Sequence, residues 1–235
     1  GHKQIRELST RAWLRSYKYG KNKRVPTYYN DIIEIIDNNK GHVIACTACL
    51  GSYLASECLA LAQEPDEERE EKVRNWLKQM VRLFGAENFY IELQPPAEKN
   101  NEQYLANYKM LEFARELNIP WVVTTDAHYA RPKDRHIHEA FLKSQDGERE
   151  VDAFYATTYM MNTQELESYF DFPLDEAYQN IQKIANMCQD YDLHKPLRIP
   201  QLIWKTFNPK TDLKQWVNKI PMINTFLSSD YIGDI

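Results

Sequence analysis

Short unbroken apolar runs alternate along this chain with longer stretches in which apolar residues return at helical spacing. Residues 42–47 (HVIACT) form a β-branched apolar run ending in small residues, which predicts a buried strand. Residues 51–63 read as a helix with Leu54, Ala55, Cys58, Leu59 and Leu61 apolar. Pro65 breaks it, and Asp66 caps a second helix to about residue 84, where Val73, Trp76, Leu77, Met80 and Phe84 recur at i, i+3, i+4. The early acids Glu67, Glu68, Glu70 and Glu71 suit the positive end of that helix's dipole and need no chemical role. A strand at 88–93 (NFYIEL) precedes a helix over about 101–117 built on Tyr104, Tyr108, Leu111 and Ala114. A strand at 120–125 (PWVVTT), a helix over about 132–143 and a strand at 157–161 follow. Asn162 and Glu165 make a capping-box pattern for a short helix. A last helix over 174–188 sets Ala177, Ile181, Ile184 and Cys188 on one face.

Repeated β–α units with apolar strands predict a parallel sheet covered by helices. A closed barrel needs about eight such units, and the pattern supplies three or four. The expected class is therefore α/β, as part of a barrel or as a small open sheet. The chain opens on Gly1 rather than Met, which favours a piece of a barrel. Such a piece exposes strand edges and apolar surface, so poor solubility is expected unless the rest is supplied. Regularity fades after Pro196, and residues 200–235 read as a linker toward a further element.

The 235 residues carry 34 acids and 29 bases, and 12% are aromatic, enough bulk for a core and too much for wholesale disorder. No apolar run approaches the roughly 18 residues of a membrane span. The N-terminus lacks the apolar region of a signal peptide, and four cysteines do not make a disulfide scaffold. Together these point to a reducing cytoplasm and no membrane partner. Charge is uneven: residues 1–24 hold eight bases against Glu7, leaving a net −12 on the remainder. With Trp13, Tyr17 and Tyr19 among its bases, this arm suits contact with phosphates. The plainer and preferred reading is an amphipathic helix with Ile5, Leu8 and Ala12 inward and its Arg/Lys side in water.

In parallel α/β folds reactive groups collect at the carboxyl ends of strands. Asp126 and His128 stand there directly after PWVVTT, where a carboxylate and an imidazole can both reach a divalent metal; the bland alternative is a turn-capping Asp beside a packed His. His138 is expected to turn inward and His136 to lie at the surface. Cys46 and Cys49 stand between a strand and a helix, where a thiol is a metal ligand or, in a CxxC pair, a redox nucleophile. Cys58 and Cys188 read as buried core thiols. GxGxxG, P-loop, GxSxG and HExxH motifs are absent, and seven glycines leave little for a phosphate cradle.

The segments HVIACTACLGSYLA, FGAENFYIELQ and LEFARELNIPWVVTTDAHYARPKDRHIHEAFL resemble the polymerase-and-histidinol-phosphatase (PHP) domain at the N-terminus of bacterial C-family replicative polymerases, the DNA polymerase III alpha subunits. GHKQIRELSTRAW resembles the helix preceding that stretch, and TYMMNTQELESYF, IQKIANMCQDYDL and LRIPQL resemble the domain's end. The resemblance implies a PHP-like domain over 1–202, lacking its N-terminal portion, and over 203–235 a linker approaching the polymerase palm. It implies part of a distorted (β/α)7 barrel whose strand ends hold zinc, manganese or iron. Cys49 matches the family's cysteine ligand, and Asp126 and His128 match its final Asp-x-His pair; Cys46 matches nothing. The family's upstream His-x-His pair has no counterpart in this chain. The implied parent extends primed DNA, with Mg2+ in a palm that lies outside this sequence. The PHP domain itself is either a metal-dependent phosphoesterase and 3′–5′ exonuclease or a scaffold that docks a proofreading subunit among other replisome proteins. A stand-alone PHP phosphatase and a CxxC redox protein are the alternatives.

Overall fold

A computed structural model describes residues 1–20, 22–144, 153–190, 192 and 194 of the chain. The chain divides into units at Gly1–Gln189 and Asp190–Ile235, and every element below belongs to the first. The boundary expected near residue 202, and all of 203–235, lie outside the described residues.

The chain begins with helix α1 (His2–Leu14), a hairpin of β1 (Tyr17–Tyr19) and β2 (Asn22–Arg24), and helix α2 (Tyr29–Asp37). Neither the hairpin nor α2 figured among the expected elements. The strands YKY and NKR are too short and too polar to show a strand period, and α2 packs its isoleucines so densely that strand and helix patterns coincide. The expected apolar face of α1 is also shifted. Ala12 is buried and Leu8 half-buried, but Ile5 is exposed and Gln4 is buried in its place. Gln4 Nε2 donates to the carbonyls of Ile35 (3.0 Å) and Asn39 (2.9 Å), so a polar side chain anchors the two helices. Nor do all the arginines face water. Arg11 pairs with Glu7, Asp31 and Glu34, and Arg15 pairs with Asp31. The hydrogen bond from Arg15 is the main reason Asp31 is held below the ordinary carboxylate range.

The core then follows the expected β–α rhythm. β3 (Ala45–Cys46), helix α3 (Tyr53–Gln63), helix α4 (Glu67–Phe84), β4 (Phe89–Leu93), helix α5 (Glu102–Glu116) and β5 (Trp121–Val123) occur in turn. The strands pair in parallel in the order β3-β4-β5, with Ala45 opposite Phe89 and Ile91 opposite Trp121. Both faces of the central strand are covered, since Phe89, Tyr90, Ile91 and Leu93 are all buried. Three parallel strands form an open sheet, not a closed barrel, among the described residues. β3 is shorter than the run 42–47 because only its last residues lie alongside β4. Residues 157–161 make no full strand: Tyr159 forms a single parallel bridge with Tyr129.

Local signals set most helix ends. Asp66 accepts from the Arg69 amide (3.0 Å) at the start of α4, and Gly85, with φ +97°, closes it. Ser52 caps α3, which begins two residues later than expected. Helix α6 (Arg135–Ser144) follows β5, and the Asn162/Glu165 capping box opens α7 (Thr163–Glu167) as expected. Helix α8 (Asp175–Met187) packs on β5 through its start, where Ala177 is buried and Asn180 Nδ2 donates to the Trp121 carbonyl (2.9 Å). Its later turns leave Ile181 and Cys188 exposed, so Cys188 is no core thiol; Cys58, by contrast, is fully buried.

Candidate functional site

The carboxyl ends of the three parallel strands meet at a polar layer. Thr47 Oγ accepts from the Glu92 amide (2.9 Å), and Thr124 Oγ donates to the Glu92 carboxylate (2.5 Å). The half-buried Glu92 therefore ties the strand ends together. It had no place among the expected site residues, although a lone acid in the apolar run NFYIEL was the available signal.

The turn after β5 is held in a fixed shape. Asp126 is half-buried with φ +44°, a left-handed conformation that non-glycine residues rarely adopt. His128 is exposed, and its amide donates to the Thr158 carbonyl (2.8 Å). Its Nδ1 lies 2.6 Å from the Asp126 carbonyl, a contact that requires Nδ1 to carry a proton. His138 turns inward as expected: it is half-buried with its ring centroid 5.3 Å from that of His128, while His136 is exposed. Burial first, and the charge of His128 second, hold His138 below the ordinary histidine range.

Cys49 is half-buried in the turn before α3, following Ala48 at φ +63°. No hydrogen bond or ion pair joins it to Asp126 or His128, and among the described residues no three His, Cys, Asp or Glu side chains come together as a metal ion requires.

The CxxC geometry runs against redox use. Cys46 sits in β3 rather than at a helix N-terminus, and Cys46 and Cys49 are both free thiols. Although Cys46 as a residue is exposed, its packed surroundings, and then the charge of Glu92, push its thiol up to about 11. A redox-active thiol lies far lower, near 7 in thioredoxin. Alkylation of Cys46 by iodoacetamide is therefore expected to keep accelerating up to pH 10, as followed by mass-spectrometric mapping. Levelling off near neutrality would restore the redox reading.

Beside the strand ends lies a cavity of about 300 Å3 lined by Leu50, Gln94, Asn101, Gln103, Thr125 and Thr158. Its back wall is a polar relay. Asn107 Nδ2 donates to the Gln94 carbonyl (2.7 Å), which obliges Asn107 Oδ1 to accept from Gln103 Nε2 (2.9 Å). Of the expected face of α5, Leu111 and Ala114 are buried, while Gln103 and Asn107 take interior positions that the apolar pattern did not assign. Tyr104 and Tyr108 meet at the rim with ring centroids 4.8 Å apart and planes tilted by 46°.

The chain is 35% identical over 238 residues to a protein of Bacillus subtilis strain 168 named probable DNA polymerase YorL, covering 94% of this chain and 18% of that protein. A DNA-directed DNA polymerase of Bacillus phage SPbeta matches to the same extent. The DNA polymerase III subunit alpha of Thermus aquaticus is 30% identical over 203 residues, covering 82% of this chain and 15% of the subunit. The chain thus spans less than a fifth of the length of these relatives. No family model matches it.

Proposed function

We propose that this chain, which is related to one segment of DNA polymerases that include the polymerase III alpha subunits, is the PHP-type module of a DNA-directed DNA polymerase acting in bacterial or phage replication. The supporting observation is similarity to polymerases over 94% of the chain. The parallel α/β core, with Asp126 and His128 just past its third strand, is in keeping with it. In this reading residues 1–202 are part of a distorted PHP barrel, and 203–235 lead toward the palm, where Mg2+ serves nucleotidyl transfer to primed DNA. The module acts as a cytoplasmic scaffold that steadies the polymerase and offers a seat to a proofreading subunit. The second role is that of a metal-dependent phosphoesterase, with Cys49, Asp126 and His128 as part of a site for zinc, manganese or iron.

The test is capture of the native protein from source cells with an antibody to this chain. A product several times heavier than 27.8 kDa that extends a primed template is expected. A product near 27.8 kDa without incorporation overturns the polymerase reading. In the captured enzyme, Asp126→Asn separates the two roles. A scaffold leaves release of the 3′-terminal nucleotide unchanged, whereas a metal-dependent exonuclease loses it.

A further inference from the structure

The β1–β2 hairpin presents chemistry that the polymerase-scaffold reading does not use. Its register places Lys18 directly opposite Lys23, an arrangement in which like charges destabilise the pair. Arg11 and Arg15 are neutralised by acids of α1 and α2, but among the described residues no carboxylate forms an ion pair with Lys18, Lys23 or Arg24. All three are exposed. Among the described residues the hairpin is thus a cation cluster without a carboxylate to pair it.

Flat aromatic surface accompanies that charge. Tyr17 and Tyr19 are 52% and 69% exposed. Two apart on one strand, they share a face at a spacing of about 7 Å, and Arg24 lies opposite Tyr17 on that face. Trp13, 56% exposed, stands beneath Lys23, whose Nζ is 4.6 Å from the ring centroid. Gly20 turns the chain between the strands with φ +60°, which keeps the ribbon narrow.

We propose that this hairpin binds single-stranded nucleic acid. Two successive bases stack on Tyr17 and Tyr19, and phosphates meet Arg24 together with Lys18 and Lys23, whose flexible stems reach round the ribbon. A duplex keeps its base faces stacked internally and offers the tyrosines nothing. A membrane surface would draw instead on the exposed Ile5 and Leu14 of α1, which substitution of the tyrosines leaves in place. The choice of nucleic acid over other polyanions rests on the polymerase reading.

The test is fluorescence anisotropy of a labelled dT20 oligomer against the full chain, in EDTA and between 50 and 200 mM salt. Paired substitutions Tyr17→Ala with Tyr19→Ala, and Lys18→Ala with Lys23→Ala, are compared after circular dichroism confirms an unchanged fold. The tyrosine pair is expected to weaken binding about tenfold or more with the salt slope unchanged. The lysine pair is expected to reduce the slope by about 1.4, two phosphates' worth for a single strand. Absence of dT20 binding, a tyrosine variant that binds like wild type, or equal affinity for duplex DNA or phosphatidylserine vesicles each overturns the proposal. Because no hydrolysis or extension is read, wild-type binding stands even if the captured protein extends no primer. Conversely, primer extension with unaffected tyrosine variants removes the hairpin site alone.

Discussion

Replacing Phe113 by alanine is expected to lower the unfolding free energy by about 3–5 kcal/mol, the cost of emptying a buried aromatic site. Phe113 is 1% exposed in the last turn of α5, which packs against α3 and β4. Its ring also faces two cations, with Arg74 Cζ 5.6 Å and Lys109 Nζ 5.3 Å from the centroid. Those cations are fixed by Glu70, Glu112 and Glu116, so they cannot move into the vacated volume without abandoning their acids. Phe113→Leu separates the two contributions. It retains most of the volume and loses only the cation–ring contacts, for an expected cost of about 1–2 kcal/mol. Urea unfolding measures both, and equal midpoints for the two variants would show that the ring is not packed as described.

The second large effect concerns a polar residue. Asn107 is 2% exposed and serves two partners that have no other, the Gln94 carbonyl and Gln103 Nε2. Asn107→Ala leaves both buried groups unsatisfied, and at about 1–3 kcal/mol each the expected loss is about 2–6 kcal/mol. Asn107→Asp restores shape but brings no donor to the Gln94 carbonyl, so it rescues little. Hydrogen exchange gives the local readout, since amides of the segment after β4 lose protection ahead of those in α4. Uniform loss across both would place Asn107 in the general core instead of at the loop anchor.

Asn107 also shows why the sequence was legible in some places and opaque in others. Where burial is apolar, the pattern reads correctly: Val73, Leu77 and Met80 in α4 and the run through β4 are inside, as their spacing implies. Where burial is polar, it misleads. Gln4 in α1, and Gln103 with Asn107 in α5, occupy interior positions through hydrogen bonds that no hydropathy pattern records, so Ile5 in α1 and Tyr104 and Tyr108 in α5 were assigned inward in their place, while Ala12, Leu111 and Ala114 are buried as assigned. At the strand ends, Asp126 and His128 stand out in the sequence because they follow a buried strand. Glu92 was missed because its role depends on Thr47 and Thr124, residues 45 and 32 positions away.

The left-handed turn at Asp126 carries one more consequence. Glycine, asparagine and aspartate are the residues that tolerate such a backbone with least strain, so selection at this position favours these three side chains before any chemistry acts. Of those three only aspartate is charged. Exchange for asparagine therefore removes the charge and keeps the turn, whereas alanine removes both and confounds them. Any survey of natural variants should be weighed the same way: glycine at 126 marks a module kept for its shape, and aspartate marks one in which the charge has been retained over two structurally adequate substitutes.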